Sequence, residues 1–390
     1  MRLFYLSVFI FLTVGFLNAQ TSTPTVAVPS DSDGPLGALD WGTNPSTGQP
    51  WTAADLRQKL TAPAGDRIQK AVQDLLSRAA EDESRQTMIM AIPEIHLEGI
   101  LASKPEYKES ESALKTLDTL EAWAFAARID TGSDGAAYAQ AARDGILNWV
   151  MTYDSPTGNP INEGRLIPLL KAIDWYGPLF QPDERTQVQA WLRKLIAASD
   201  QFKADHANDE RGTNNFETWR LAIRAIAAQV LGDPAEVAAT GKMMHDHIRQ
   251  NIWDDGSTFD FHRRGALHYH VYDLEAYTQA LVYVPSVYQP EDRARLEKAF
   301  EFLKPYDTGE KEHIEFSDPD PSLGKPIQFD IQRRDAGQKD FLNQPWDPKS
   351  ARNLLWLGRA VLPEIRDWTT GLLDENYDPV IKLTVALHGD

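Results

Sequence analysis

The sequence predicts an all-α protein, on three observations. Apolar residues recur at three- and four-residue spacing: after Pro182, the residues Val188, Trp191, Leu192, Leu195 and Ile196 form one stripe. Three segments open alike, with Gln181-Pro182-Asp183-Glu184, Asp233-Pro234-Ala235-Glu236 and Gln289-Pro290-Glu291-Asp292. Proline in the first turn needs no N–H partner, and acids there suit the helix dipole. Strand signals are few and short, and the clearest break in helical pattern is 316–329.

In chain order, the sequence begins MRLFYLSVFIFLTVGFLNAQ. A single arginine, a short apolar run and Asn18-Ala19 before Gln20 predict a secretory signal over 1–19, too short to span a bilayer. Residues 20–50 are rich in Ser, Thr, Pro, Gly and Asp and are expected to form a flexible extension without a core of its own. Residues 51–390 are expected to form one domain. Helices are expected over 52–80, 109–129, 136–153, 163–177, 214–231, 264–284 and 350–362, besides those opened by Pro182, Pro234 and Pro290. So many helices on short loops imply helical hairpins, and no fixed-period repeat marks a regular solenoid. Such hairpins can curl into an incomplete (α/α) toroid.

The chain of 390 residues carries 39 Lys+Arg against 57 Asp+Glu, a formal charge of -18. That field disfavours nucleic acid and anionic membranes as partners, and no membrane span is expected beyond the signal. The absence of cysteine excludes disulfides, thiolate nucleophiles and zinc–thiolate sites. No cofactor and no metal are expected. His268 and His270 stand two apart and point away from each other on a helix, and His245 and His247 are as poor a pair. The eleven tryptophans are mostly core, with some available as stacking platforms for sugars.

Three stretches hold unusual polar density: FHRRGALHYHVYDLEAY (261–277), RGTNNFETWR (211–220) and TGNPINEGRLIPLLKAIDW (157–175). Asn214 and Asn215 stand where a helix should begin; a cap explains one, and leaves the other for a ligand carboxylate. If the chain is helical from Arg264, then Ala266, Tyr269 and Asp273 share a face, as do Arg263, Leu267 and His270. If 261–265 is irregular, His262 and Arg263 turn toward Tyr269. The plain reading of each histidine is a satisfied core residue, and of the arginines an ion-paired face. Together they read differently. Arginine beside tyrosine lowers the phenol pKa, and such a tyrosine exchanges protons. Amide and guanidinium groups bind carboxylates. These are the parts for removing a proton next to a carboxylate, the task set by uronic-acid polysaccharides.

Gly265-Ala266-Leu267-His268-Tyr269-His270, with arginine upstream, resembles the RALHYHN-type motif of alginate lyases, and Asn214-Asn215-Phe216-Glu217-Thr218-Trp219 resembles their NNHxxW-type motif. Thr157–Asn162 and His313-Ile314-Glu315-Phe316 also look like the broader alginate-lyase-like superfamily, so that the likeness spans roughly 85–360. The resemblance implies an (α/α) toroid and metal-independent β-elimination. It implies Tyr269 as the proton-transferring residue and Asn215 as a neutraliser of the substrate carboxylate. Arg263 takes the upstream arginine's place, with Arg264 one residue away. Phe216 departs from the pattern, where the family has histidine; His262 or His268 then substitutes, or Tyr269 acts alone. Losing that histidine leans toward mannuronate or glucuronate, in which one residue both takes the C5 proton and protonates the leaving oxygen. Asn214, Arg264, His96, Trp219 and His270 are the expected substrate contacts. The expected protein is a secreted or periplasmic monomer acting on an anionic polysaccharide. A toroidal glycoside hydrolase of uronyl sugars and a non-catalytic carbohydrate-binding protein are the alternatives.

Overall fold

Capping chemistry sets where the helices start. In the computed structural model the described residues are Leu36, 38–63, 65–369 and 377–389. The expected signal over 1–19 lies outside them. Thr52 and Asp55 form a reciprocal capping box at the start of α1 (Ala53–Lys59), and Asp66 caps α2 (Arg67–Ser84). The helix expected over 52–80 is therefore two, divided around Pro63 and Gly65. There follow α3 (Pro105–Ile129), α4 (Ser133–Thr152), the short α5 (Pro160–Glu163), α6 (Ile167–Tyr176) and α7 (Pro182–Asp205). The second half holds α8 (Asn215–Leu231), α9 (Pro234–Asn251), α10 (Phe259–Arg264), α11 (Leu267–Tyr283) and α12 (Pro290–Asp307). Last come α13 (Gln328–Asp335), α14 (Arg352–Val361), the short α15 (Arg366–Thr369) and α16 (Pro379–Leu387). Proline occupies the first turn of α3, α5, α6, α7, α9, α12 and α16.

The helices form an (α/α) toroid of hairpins. Around the ring α3 packs on α6, α6 on α8, α8 on α11, α11 on α14, α14 on α16, α16 on α2, and α2 on α3. Helix α4 backs α3, α7 and α9 back α8, and α12 backs α9. Sequence explains who sits inside. Leu221, Ala222, Ile223, Ala225, Ile226, Ala227 and Ala228 of α8 are all buried, and so are Arg220 and Arg224, matched by Glu217 and Glu236, so this helix is covered on every side and needs neighbours all round. Small residues let those neighbours come close.

Of the flexible extension expected over 20–50, residues 20–35 and 37 lie outside the described residues, and Leu36 with 38–50 is not loose. Leu36, Leu39 and Trp41 are buried in the core, and a two-stranded antiparallel hairpin follows, β1 (Thr43–Asn44) with β2 (Gln49–Pro50). The Leu39 amide and the Trp41 indole donate to the two oxygens of buried Asp174, at 3.0 and 2.8 Å. The tryptophan ring lies 4.4 Å from Trp175. The apolar residues that dock this strap are few and lie between turn formers, which is why composition alone reads it as linker.

The helix expected over 264–284 is broken at Gly265, and the break builds the site. Gly265 ends α10 with φ 61°, a left-handed conformation. A Cβ there would meet the Asp318 carbonyl carbon and the Pro319 nitrogen at 2.7 Å. The Gly265 carbonyl accepts from the Phe316 amide at 2.7 Å and lies 3.0 Å from the His313 ring nitrogen. His313 thus pins the break between α10 and α11. The excursion expected over 316–329 is non-helical up to α13, apart from one turn of 3-10 helix at Pro321–Leu323.

Candidate active site

A cleft of about 750 Å³ lies where α3, α8 and α11 begin; its walls include Asn215, Arg264, Tyr269, Tyr272, Arg333 and Phe341. Those helices turn their positive dipole ends toward it. A second cavity of about 480 Å³ lies along the ring axis, lined from α2, α3, α6, α8, α11, α14 and α16, and shares Tyr272 with the cleft.

The paired asparagines divide their work. Asn214 is the cap of α8: its side-chain oxygen accepts from the Phe216 amide at 3.0 Å. Asn215 is the first helical residue, almost fully buried, and gives both its backbone N–H and its side-chain amide to Asp260, each at 2.7 Å. Asp260 in turn lies 3.6 Å from the Arg264 guanidinium, one helical turn along α10. Burial pushes its carboxyl up to about 6, against the pull of Arg264 and the Asn215 donors.

Arg264 is the centre of the arrangement. Its guanidinium lies 3.8 Å over the Tyr269 ring and holds Asp330 of α13 at 2.5 Å. The other oxygen of Asp330 accepts from the Tyr269 hydroxyl at 3.2 Å. Burial opposes the arginine's charge, yet Tyr269, Asp330 and Asp260 hold it charged more firmly than usual. The lowered Tyr269 pKa that the neighbouring arginine predicts is not what the structure gives. Arg264 does pull the Tyr269 phenol down, but burial, reinforced by Asp330 and Asp260, pushes it above the usual tyrosine range. The resting tyrosine is a protonated donor, not a phenolate.

The remaining residues divide sharply. Arg263 does not face this cleft: its Nε donates to Glu210 and its Nη1 to the Lys325 carbonyl, both at 2.8 Å, and it lines an adjoining cavity of about 190 Å³ on the other side of Arg264 and Asp330. Of the two arginines, Arg264 meets Tyr269. His268 does line the cleft, its ring 4.3 Å from Tyr269 and its Nδ1 3.3 Å from Glu315. His262 is turned away, stacked 4.0 Å from Trp253 and 2.6 Å from the Ser257 hydroxyl; burial pulls its pKa down. His270 is fully buried between the Thr258 hydroxyl and the Ala299 carbonyl. Burial pulls it down to about 4, so it is a neutral core residue. His96 is half-buried, 3.3 Å from Glu94, and lies off the cleft wall. Trp219 packs 5.0 Å from Tyr272 and faces the axial cavity. Phe216 lines the cleft and stacks parallel to Phe202.

Sequence reasoning missed Asp260, Asp330, Tyr272 and Arg333. Asp260 stands four residues before Arg264, a spacing that marks a helical ion pair and was there to be read. Asp330 and Arg333 reach the site through a long excursion, and no local pattern announces them. Among the described residues no group of three or more His, Cys, Asp or Glu side chains is arranged to hold a metal ion.

The ring of helical hairpins, with this cleft at one end, is an (α/α) toroid, and the family the chain belongs to makes the protein a polysaccharide lyase. The family model described as alginate lyase matches residues 55–314, and the chain belongs to the alginate lyase family. Among solved structures it is similar to an alginate lyase from Bacteroides ovatus, with 14% identity and a TM-score of 0.58, over 86% of this chain and 96% of that one. A xanthan lyase from Paenibacillus aligns over 87% of this chain and 33% of its own, with 13% identity and a TM-score of 0.48. No curated protein matches the chain.

Proposed function

We propose that this polysaccharide lyase is exported and cleaves a uronate polysaccharide by β-elimination, with mannuronate or glucuronate at the scissile position. The observation that carries the reading is the Tyr269 hydroxyl, held at 3.2 Å by Asp330 beneath a ring-stacked arginine, on the wall of a cleft wide enough for a sugar chain.

The chemistry follows from that contact. Tyr269 Oη takes the C5 proton of the uronate while its own proton passes to Asp330. The C5–H electron pair becomes the C4–C5 double bond, and the C4–O bond breaks. The leaving oxygen then takes a proton from Tyr269, which regains one from Asp330. Protons balance, and the enzyme ends as it began. Arg264 keeps its charge throughout and holds the Asp330 carboxylate and the Tyr269 ring in register for the transfer. Because one residue serves both steps, the reacting C–H and C–O bonds must lie on one side of the ring, which favours mannuronate or glucuronate over guluronate. His268 borders the same face and is the remaining candidate to assist.

The test is an absorbance screen against polymannuronate, polyguluronate, glucuronan and glycosaminoglycans. The expected outcome is near-ultraviolet absorbance from the unsaturated product on polymannuronate or glucuronan. New reducing ends without that absorbance would mean hydrolysis and would sink the elimination mechanism.

A further inference from the structure

The cations that sequence analysis brought to the site are already answered by the protein's own carboxylates. Arg264 holds Asp330 and Asp260, and Arg263 holds Glu210. Arg211, on the cleft wall, holds Asp209 at 2.6 Å in a pair that stays partly exposed, so its charge is matched too but is less costly to disturb than that of Arg264. An arginine in a buried ion pair brings little net charge to a ligand. Drawing it away would leave an uncompensated carboxylate behind, and that is costly. A polyanion entering this cleft needs a cation that is not already matched.

Arg333 of α13 is such a cation. It is half-buried, lines the cleft, and forms no ion pair among the described residues. Its guanidinium lies over two aromatic rings instead, 4.2 Å from the centre of Phe329 and 4.6 Å from that of Phe341. Cation–π contacts cover the flat faces of a guanidinium and leave its N–H edges free. Those edges are the part that grips a carboxylate in a two-point contact. The rings also fix the side chain beforehand, so less freedom is lost on binding. The charge reaches the reacting group: Arg333 favours the ionised form of Tyr269, Tyr272 and Tyr107, three phenols that line the same cleft. Lys339, the other cleft cation without an ion pair among the described residues, is exposed and has no aromatic support.

We infer that Arg333 receives the carboxylate of the substrate, whereas Arg264 serves to hold Tyr269 and Asp330; the inference rests on the uronate-lyase reading above. It moves to Arg333 the carboxylate contact that the resemblance assigns to Asn215, whose side-chain amide is given to Asp260. It also assigns specificity to α13, a helix outside the region matched by the family model.

The experiment compares binding of a mannuronate tetrasaccharide with binding of its fully methyl-esterified form, by calorimetry, in a Tyr269→Phe background that does not consume the ligand. Glucuronate tetrasaccharides replace them if glucuronan is the better substrate. The free acid should bind tighter than the ester by about tenfold or more, the worth of a charge-assisted two-point contact. Adding Arg333→Gln should remove that preference and leave ester affinity unchanged. Arg333→Lys should restore part of it, and Lys339→Gln should leave it intact. In the otherwise unaltered enzyme, Arg333→Gln should lower kcat/KM by about a hundredfold while lowering the melting temperature only slightly, by the loss of the two ring contacts. An acid preference that survives Arg333→Gln, or that disappears with Lys339→Gln, overturns the assignment while the lyase reading stands. A parent protein with no preference for acid over ester and no unsaturated product overturns both.

Discussion

The Tyr269 hydroxyl donates to Asp330 across 61 residues of chain, and the same carboxylate grips Arg264, whose guanidinium lies on the Tyr269 ring. Tyrosine, arginine and aspartate form a closed triangle drawn from α10, α11 and α13. Removing only the hydroxyl tests it. Tyr269→Phe keeps the ring and its stacking, so stability should fall by no more than about 1 kcal/mol, one hydrogen bond. Turnover should drop on the order of a hundredfold or more, the worth of a positioned acid–base group. Steady-state kinetics beside a melting curve checks both, and near-normal turnover would remove Tyr269 from the mechanism.

The two asparagines should separate scaffold from site. Asn214→Ala deletes the cap of α8 and should cost about 1 kcal/mol in denaturant unfolding. Asn215→Ala leaves that cap in place but takes one of two donors from buried Asp260. It should therefore slow turnover through a disturbed Asp260–Arg264 pair. The opposite pattern, with Asn214→Ala hurting only activity, would contradict this division.

Gly265 is the joint on which the triangle turns. Alanine there would need a left-handed backbone and would press its Cβ against Asp318 and Pro319. Gly265→Ala should lose on the order of 1–3 kcal/mol and most of its activity, since α10 carries Arg264 and α11 carries Tyr269. A variant with native melting temperature and native turnover would show that the joint is not rigid.

What could be read from the chain follows from range. The helices are local objects, and proline, acids and the apolar period at Pro182, Pro234 and Pro290 place them well. Tyr269, Arg264, Asn215 and His268 stand in two short motifs, so their grouping was legible even before the elements between them were placed. The choice between Arg263 and Arg264 was not, because it depends on how Gly265 bends the chain. The sign of the Tyr269 pKa was missed for a related reason: one neighbouring arginine is visible in sequence, whereas the burial and the Asp330 contact that outweigh it are not. His262 and His270 look alike in the sequence; only packing shows that Trp253 and the Ala299 carbonyl hold them off the cleft.

Glu275 gives the fold itself a pH dependence. It stands on α11 between the axial cavity and a smaller one beside His268, with Asn353 as its hydrogen-bonding partner. Burial pushes its carboxyl from the ordinary 4.5 up to about 7, and the Asn353 contact opposes this only in part. A raised folded-state pKa means that the native protein keeps a proton the unfolded chain has already released. The stability this provides is complete below about pH 4.5 and is lost as the pH rises toward 7. The full shift is worth up to about 3 kcal/mol. Glutamine keeps the shape and the neutral form at every pH. Glu275→Gln should therefore match the parent protein at pH 4 and exceed it at pH 8, by as much as that difference. Glu121, also pushed up to about 7, contributes in the same direction in both proteins and cancels in the comparison. Urea unfolding of the pair at the two pH values measures the effect. A substitution that shifts stability equally at pH 4 and pH 8 would show that the carboxyl ionises in the folded protein as freely as in the unfolded chain.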